Sequence, residues 1–271
     1  MDVAHINGVE LEYEAVGSGE PVLLISPMLA DGFAPLVTEP ELADRYQLVR
    51  YHKRGWVGST HTAGPVTIEE HAADAAALLD HLGVGRAHVA GHSSGAAVAA
   101  QLALDDPQRV HALVLLELTL FSVPSGAAFL AQAGPVLDAY EAGDHEGALA
   151  AFLSAVSGMT WEACRALLEE RAPGMVAQAV KDADTFFIAE LPGVIRWGLS
   201  AETASTIRRP VLSVVGTRTA QLWVEVADFL REALPDVEEA QIDGVGHLLH
   251  LERPAPVAHA IAEFLGRHPM T

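Results

Sequence analysis

A serine flanked by glycines, set between a strand pattern and a helix pattern, constrains this sequence more than any other feature. The segment GHSSG at 91–95 fits the pattern G-x-S-x-G. It follows the strand-like run 87–90 and precedes an alanine-rich stretch that predicts a helix up to about Asp105. A sharp turn from strand to helix lifts the serine hydroxyl clear of a sheet and requires small neighbours, because the turn packs tightly. This context predicts that Ser93 is a nucleophile rather than part of a packing turn.

Strand patterns alternate with helix patterns over most of the chain. Continuous apolar runs such as 22–25 indicate strands that are buried on both faces. This alternation is typical of an α/β fold, with a mostly parallel sheet and helices on both of its faces. From residue 119 to residue 208 the pattern is almost wholly helical. We therefore interpret residues 1–118 and 209–271 as one core, with 119–208 as a helical cap inserted between two strands.

The acidic composition argues against some classes of partner. The chain has 271 residues and a formal net charge of −20, whereas a nucleic-acid partner would require a basic face. No run approaches the length of a membrane span, and the first residues lack a secretory pattern. Cys164 is the only cysteine, so neither an internal disulfide nor a thiolate metal site is expected. We expect a cytoplasmic protein that acts on a small neutral or apolar molecule and binds neither nucleic acid nor membrane; a monomer and a homodimer both stay open.

A serine nucleophile requires a general base, and one of the 13 histidines has a suitable position. His247 lies in a glycine loop directly after the last predicted strand. This position is at the carboxyl edge of the sheet, where Ser93 also lies and where open α/β sheets bind ligands. His250 follows three residues later, but the pair lacks the four-residue spacing and the acidic partner of the zinc helix motif. We assign His247 as the base and expect no metal.

Three motifs are spread from the first strands to the last helix. They are RGWVGS at 54–59, GHSSG at 91–95 and GVGHLLHLERP at 244–254. Together they make the chain resemble the α/β-hydrolases, in particular the lid-bearing, epoxide-hydrolase-like sequence type. The resemblance implies an α/β-hydrolase fold whose helical cap corresponds to 119–208, and chemistry without a cofactor. The epoxide-hydrolase and dehalogenase branches use an aspartate nucleophile, so Ser93 favours acyl chemistry instead.

The acid of the expected triad departs from most of these relatives. They carry an aspartate after the strand that follows the cap, and Thr219 stands at that position here. Glu117 ends the apolar run 113–116 and should emerge at the same sheet edge as Ser93. Certain haloalkane dehalogenases place the acid after this strand, and the order Ser93, Glu117, His247 keeps the order of the family. We predict Glu117 as the triad acid; the alternative is a glutamate without catalytic duty.

The resemblance also places the groups around the nucleophile. Pro27 has no N–H to donate. The resemblance therefore assigns the oxyanion hole to the backbone N–H groups of Met28 and Ser94. Large apolar side chains could line a substrate pocket. The predicted lining residues are Leu29, Phe33, Phe121, Trp161, Phe187, Trp197 and Trp223.

These residues predict a cofactor-free serine hydrolase that cleaves an ester or a related acyl compound through an acyl-enzyme. The same residues could also cleave a carbon–carbon bond, a lactone or a thioester. A different class is a non-hydrolytic member of the family that binds a small molecule, which the missing aspartate favours and the retained Ser93 and His247 oppose. A cofactor-independent oxygenase with His247 as its base is a third alternative.

Overall fold

An eight-stranded sheet forms the centre of the structure, a computed structural model that describes residues 1–270. The strands are β1 (Asp2–Ile6), β2 (Val9–Gly17), β3 (Glu20–Ile25), β4 (Tyr46–Tyr51), β5 (Ala87–His92), β6 (Val110–Leu116), β7 (Val211–Gly216) and β8 (Val237–Ile242). Their order across the sheet is β1-β2-β4-β3-β5-β6-β7-β8. β2 pairs antiparallel with β1 and with β4, and the strands from β3 to β8 run parallel to one another. The mostly parallel α/β sheet predicted from the sequence is confirmed.

Helices flank the sheet and also form the stretch between β6 and β7. Those in residues 1–270 are α1 (Pro40–Ala43), α2 (Ile68–His81), α3 (Ser94–Asp105), α4 (Gly126–Leu130), α5 (Gly134–Glu141), α6 (His145–Ser157), α7 (Trp161–Arg171), α8 (Met175–Lys181), α9 (Leu191–Arg196), α10 (Ala201–Ala204), α11 (Gln221–Ala233), α12 (Leu249–Glu252) and α13 (Pro254–Arg267). A π-helical turn at Thr185–Glu190 lies between α8 and α9. The seven helices α4 to α10 occupy the predicted insert, and its division from the core at residues 118 and 208 stays a prediction. Among the helices of residues 1–270, none is both long and apolar enough to cross a membrane.

The two faces of the sheet bury two separate apolar clusters. Alternate residues of a strand point to opposite faces. In β3, Leu23 and Ile25 belong to the cluster that includes α2 and α3, whereas Val22 and Leu24 belong to the cluster that includes α13. Burial on both faces explains why the parallel strands read as continuous apolar runs in the sequence.

The carboxyl ends of the central strands meet at one edge of the sheet. Ser93 directly follows β5, and Glu117 directly follows the neighbouring strand β6. The backbone N–H of Glu117 donates to the carbonyl of Val214 in β7, at 2.9 Å, so the register of the sheet continues past the end of β6. The glycine loop that contains His247 follows β8. Three residues that are far apart in sequence are thereby placed at one edge.

Candidate active site

The turn between β5 and α3 holds Ser93 in a strained backbone conformation. Its φ is 55° and its ψ is −120°, a region that residues other than glycine rarely adopt. The two flanking glycines have no space for a side chain. A Cβ on Gly91 would lie 2.2 Å from the carbonyl oxygen of Gly95, and one on Gly95 would lie 2.1 Å from that of Ile25. The glycines of GHSSG are therefore required by close packing around the turn.

A chain of hydrogen bonds joins the three residues predicted as a triad. The Ser93 hydroxyl donates to Nε2 of His247, with 3.0 Å between Oγ and Nε2. Nδ1 of His247 donates to Oε2 of Glu117 at 2.7 Å. His247 and Glu117 are both buried. Because Nδ1 carries the proton that Glu117 accepts, the imidazole is held in the tautomer whose Nε2 can accept a proton. This order of nucleophile, base and carboxylate is the arrangement that acyl transfer requires.

Glu117 receives two further hydrogen bonds from the loop after β7. Its Oε1 accepts from the backbone N–H of Gly216 at 2.8 Å, and its Oε2 accepts from the hydroxyl of Thr219 at 2.7 Å. Thr219 stands where most relatives are expected to carry an aspartate, and here its hydroxyl supports the carboxylate that comes from β6. A buried carboxylate requires such donors, because each unpaired oxygen would carry a large desolvation cost.

The imidazole of His247 is also fixed by two aromatic neighbours. The indole of Trp223 stacks on it, with ring centroids 3.9 Å apart and planes 25° apart. Nε2–H of His92 donates to the backbone carbonyl oxygen of His247 at 2.8 Å, so it holds the main chain of this residue. Burial lowers the pKa of His92 well below its usual value, so His92 is a neutral donor. His92 therefore supports the His247 loop and does not contact the Ser93 hydroxyl.

Two backbone N–H groups beside Ser93 are available to a ligand. Within residues 1–270, neither the N–H of Met28 nor that of Ser94 donates to a protein acceptor, and both residues line the cavity next to Ser93. Ser94 is the first residue of α3, so its N–H lies at the positive end of a helix. These N–H groups can donate hydrogen bonds to a carbonyl oxygen on which negative charge develops.

Thr119 is a residue near the nucleophile that the sequence analysis missed. Its hydroxyl lies 3.0 Å from Ser93 Oγ. Because the Ser93 proton is directed to His247, the Thr119 hydroxyl donates to Ser93. Thr119 comes three residues after the end of β6, so the strand-end argument that found Glu117 was a usable signal for it as well.

A cavity of about 50 Å³ lies directly over Ser93. Three of the predicted pocket residues line it: Leu29, Phe121 and Trp223. Further apolar lining residues come mostly from the stretch between β6 and β7. They are Phe129, Phe152, Leu153, Val156, Phe186, Leu191 and Val194, with Leu248 from the loop after β8.

The other four predicted pocket residues lie elsewhere, which corrects the sequence assignment. Phe33 belongs to the apolar cluster around α13, on the opposite face of the sheet. The ring of Phe187 packs on a tyrosine of α5, with centroids 4.5 Å apart, and the indole of Trp197 donates to a glutamine of α3 at 2.9 Å. Trp161 begins α7 and packs on the edge of the large apolar cluster. Which face of a helix an aromatic residue occupies depends on tertiary packing, and composition does not show it.

A second buried carboxylate lies close to the oxyanion donors. Oε1 of Glu190 accepts from Lys53 Nζ at 2.6 Å and from the Ser94 hydroxyl at 2.8 Å, and its Oε2 accepts from the Trp56 indole at 2.8 Å. Burial lowers the pKa of Lys53. Burial alone would raise the pKa of Glu190, but the charge and hydrogen bond of Lys53 bring it below its usual value. This network is not predictable from the sequence, because no sequence pattern links Lys53 to a residue 137 positions away.

The comparisons with known proteins agree with this fold. The family model described as the alpha/beta hydrolase fold matches residues 27–254. The chain therefore belongs to the α/β-hydrolase family.

Within residues 1–270, no group of three or more His, Cys, Asp or Glu side chains is arranged to hold a metal ion.

Three relatives illustrate the range of the family. The chain is 40% identical over 117 residues to RutD of Azorhizobium caulinodans, named provisionally as a carbamate hydrolase; the match covers 43% of this chain and 44% of RutD. The chain spans less than half the length of the first curated relatives it matches. The structure of Est816, described as an N-acyl homoserine lactone degrading enzyme, is 28% identical with a TM-score of 0.75, over 97% of this chain and 100% of that one. The enol-lactonase of Burkholderia xenovorans LB400 is 21% identical with a TM-score of 0.80, over 98% and 100%, and shows likeness of fold.

Proposed function

We propose that this protein is a serine hydrolase that cleaves an ester bond, with Ser93 as nucleophile, His247 as general base and Glu117 as the acid of the triad. One observation carries the proposal: the unbroken hydrogen bonds from Ser93 through His247 to Glu117, at 3.0 and 2.7 Å. A protein that only binds a ligand has no need of such a relay. Membership of a family with hydrolase relatives supports hydrolysis as the reaction class.

In the first half of the reaction, His247 takes the Ser93 proton on Nε2 while Oγ attacks the carbonyl carbon. The N–H groups of Met28 and Ser94 hold the resulting oxyanion. The negative charge of Glu117 stabilises the imidazolium that forms. The bond to the leaving alkoxide then breaks, and His247 gives its proton to that oxygen. An alcohol leaves, and the acyl group stays on Ser93.

In the second half, water takes the place of the alcohol. Nε2 of His247 removes a proton from water, and the hydroxide attacks the acyl carbon through a second oxyanion. Oγ of Ser93 leaves, takes the proton from His247, and the carboxylic acid departs. The cycle consumes one water for each ester and returns all three residues to their starting state.

A lactonase is the second candidate, because Est816 is 28% identical over nearly the whole length of both chains. A lactone is a cyclic ester, so the same proton transfers would open it. His247 would protonate the alkoxide that ring opening releases, and this hydroxyl stays covalently attached to the acyl chain, so deacylation by water gives one hydroxy acid. The two candidates differ in substrate and share every residue role proposed above.

The proposal is tested by hydrolysis of p-nitrophenyl butyrate and of γ- and δ-lactones. We expect turnover of at least one substrate, and we expect Ser93→Ala to lower kcat by about 10⁴ or more, as removal of a triad serine does. Ser18→Ala, an exposed serine in the turn before β3, is the matched control and should keep full activity. A phosphonate ester should label Ser93 in the unmodified protein, as read by mass spectrometry.

Two outcomes would overturn the proposal. One is full activity in Ser93→Ala. The other is binding of the substrates by the unmodified protein with neither turnover nor phosphonate labelling, which would favour the non-hydrolytic binder.

A further inference from the structure

The cavity over Ser93 is too small for a whole substrate. Its volume is about 50 Å³, and on the same measure a cavity that holds one water molecule has about 10 to 15 Å³. Sites for small organic molecules usually measure about 300 to 1,000 Å³. The space over Ser93 therefore has room for the reacting carbonyl and little else, so the remainder of the substrate must lie in a neighbouring space.

A second cavity, which we call the chain cavity, lies next to the first. Its volume is about 340 Å³. The two cavities share five lining residues: Phe121, Phe129, Phe152, Val156 and Leu191. The walls of the chain cavity come from α4, α5, α6 and α9 and the turn between α4 and α5. The space over Ser93 therefore adjoins a larger space lined by these helices.

The lining of the chain cavity is apolar. Among its twelve lining residues, Gln132 is the one with a polar side chain, and none of them carries a charge. The amide of Gln132 already donates to a backbone carbonyl of α4 at 3.2 Å. A charged or strongly hydrated group would lose its hydrogen bonds to water here without gaining protein partners. A hydrocarbon has no such hydrogen bonds to lose, and its burial is favourable.

The rim of the chain cavity is apolar as well. Leu137 and Ile195 line it and are 43% and 40% exposed. They are two of the six large hydrophobic side chains that the structure leaves exposed within residues 1–270. Exposed apolar side chains grouped at an opening are typical of a ligand entrance. The chain cavity is thus reached from solvent past apolar side chains, and it adjoins the space over Ser93.

We propose that the chain cavity binds the unbranched aliphatic chain of an ester or lactone substrate. The inference rests on the proposed function, because the carbonyl of that substrate is placed at Ser93. A methylene group has about the volume of a water molecule, so the cavity accepts a chain on the order of ten carbons. This assigns to the protein a substrate class of neutral compounds with one medium-length alkyl or acyl chain.

The expected signature is a steep dependence of kcat/KM on chain length. Burial of each added methylene should raise kcat/KM by about fourfold. From butyrate to octanoate the gain should reach on the order of 10². p-Nitrophenyl esters from acetate to decanoate vary the acyl chain, and alkyl butyrates from ethyl to octyl vary the alcohol chain, so one of the two series should show the gain.

Two variants of exposed helical alanines form a matched pair. Ala155, on α6, lines the chain cavity, whereas Ala166, on α7, does not line either cavity. Ala155→Trp should bring the chain-length dependence of kcat/KM to near zero in the series that shows it, because the indole fills part of the chain cavity. Ala166→Trp should keep the dependence of the unmodified protein. Unchanged circular dichroism and an unchanged thermal unfolding midpoint show that a variant is folded.

A binding measurement keeps this inference separate from the proposed function. Calorimetric titration of the Ser93→Ala variant with 1-octanol and 1-butanol reports on the cavity without hydrolysis, and Ala155→Trp should remove the preference for octanol. If octanol is preferred but no ester is cleaved by the unmodified protein, the proposed function fails and the chain cavity stands. The inference is overturned if neither ester series depends on chain length, or if Ala155→Trp leaves the dependence unchanged.

Discussion

Two glutamates of this protein are buried to the same degree and have opposite kinds of partner. Glu117 and Glu190 are each 1% exposed. Glu117, at the end of β6, accepts hydrogen bonds from a histidine, a hydroxyl and a backbone N–H. Glu190, between β6 and β7, accepts from an ammonium, a hydroxyl and an indole. The partner of Glu117 can gain and lose a proton at the cavity, whereas Lys53 is sealed away from it.

This difference indicates that the partner, more than the carboxylate, decides what a buried glutamate does. His247 connects Glu117 to Ser93 by hydrogen bonds, so under the proposed function that carboxylate acts on the reaction. Lys53 neutralises Glu190, and this ion pair connects the loop after β4 to the stretch between β6 and β7. Glu190 also accepts from the Ser94 hydroxyl, which connects the same network to the turn after β5. Glu190 is thus expected to stabilise the fold around the site, and the variants below test this contrast.

The largest expected effect is on the rate, in Glu117→Gln. The amide keeps the volume of the side chain, but it cannot stabilise the imidazolium of His247. We expect kcat for p-nitrophenyl butyrate to fall by about 10³ to 10⁴, with a thermal unfolding midpoint close to that of the unmodified protein. Glu225→Gln is the control, because Glu225 lies on α11 and accepts a backbone N–H of the loop before α4. The reverse pattern would remove Glu117 from the triad.

The next effect is on stability, in Lys53→Met. Removal of the ammonium leaves the Glu190 carboxylate buried without a counter-charge, which costs about 3 to 5 kcal/mol. For a chain of this size, the unfolding midpoint should fall by roughly 6 to 20 °C. The double variant Lys53→Met with Glu190→Gln should recover much of that loss, as measured by calorimetry. Equal midpoints for the single variant and the unmodified protein would show that this ion pair does not stabilise the fold.

A smaller effect on the rate is expected in Thr219→Val. Valine has nearly the shape of threonine and removes one of the donors to Glu117. Loss of one hydrogen bond to a buried carboxylate should lower kcat by about tenfold. Thr219→Ser, which restores the hydroxyl, should regain most of the activity. If Val and Ser variants have the same kcat, the hydroxyl does not support the triad.

The smallest effect concerns a carboxylate that is partly exposed, Asp31. The hydrogen bond from His52, against the opposing effect of burial, lowers its pKa from 3.8 to about 2, and Arg50 adds to this effect. A lowered pKa in the folded state means that the stabilisation is fully present above pH of about 4 and is lost as the pH falls toward 2. After allowance for solvent screening, Asp31→Asn should destabilise the protein by about 1 kcal/mol at pH 7.

Unfolding midpoints measured between pH 7 and pH 3 test this expectation. The gap between Asp31→Asn and the unmodified protein should narrow as the pH falls. Exposed Asp44 offers the control variant Asp44→Asn, which should follow the unmodified protein at every pH. A gap that stays constant with pH would mean that the substitution acts through packing instead of charge.

The sequence predicted the fold, and it predicted that Ser93, Glu117 and His247 lie at one edge of the sheet, for a definite physical reason. Parallel strands buried on both faces are visible as apolar runs, and the residues after their carboxyl ends must meet. Ser93, Glu117 and His247 each directly follow a strand or lie in the loop after one, so strand order was enough to bring them together. Their catalytic roles stay a proposal, as does the boundary of the cap.

The helical stretch between β6 and β7 was less predictable because no sheet fixes its register. The neighbouring residues Phe186 and Phe187 differ in position, because Phe186 lines the cavity whereas the ring of Phe187 packs on a tyrosine of α5. Both lie in the π-helical turn Thr185–Glu190, which carries more residues per turn than an α-helix. Such a turn rotates every later side chain, Glu190 included. A pattern based on 3.6 residues per turn therefore fails from this point onward.

The contact between Thr219 and Glu117 also bears on how a lineage of such proteins can change. Their side-chain oxygens are 2.7 Å apart, so the acid position of most relatives and the acid position of this chain are adjacent in space. An aspartate at 219 together with Glu117 would bring two negative charges into contact in a buried site, where only one of them could stay ionised. Each position is thus a substitute for the other. With the acid at 117, the side chain at 219 is left to act as a hydroxyl donor, as Thr219 does here.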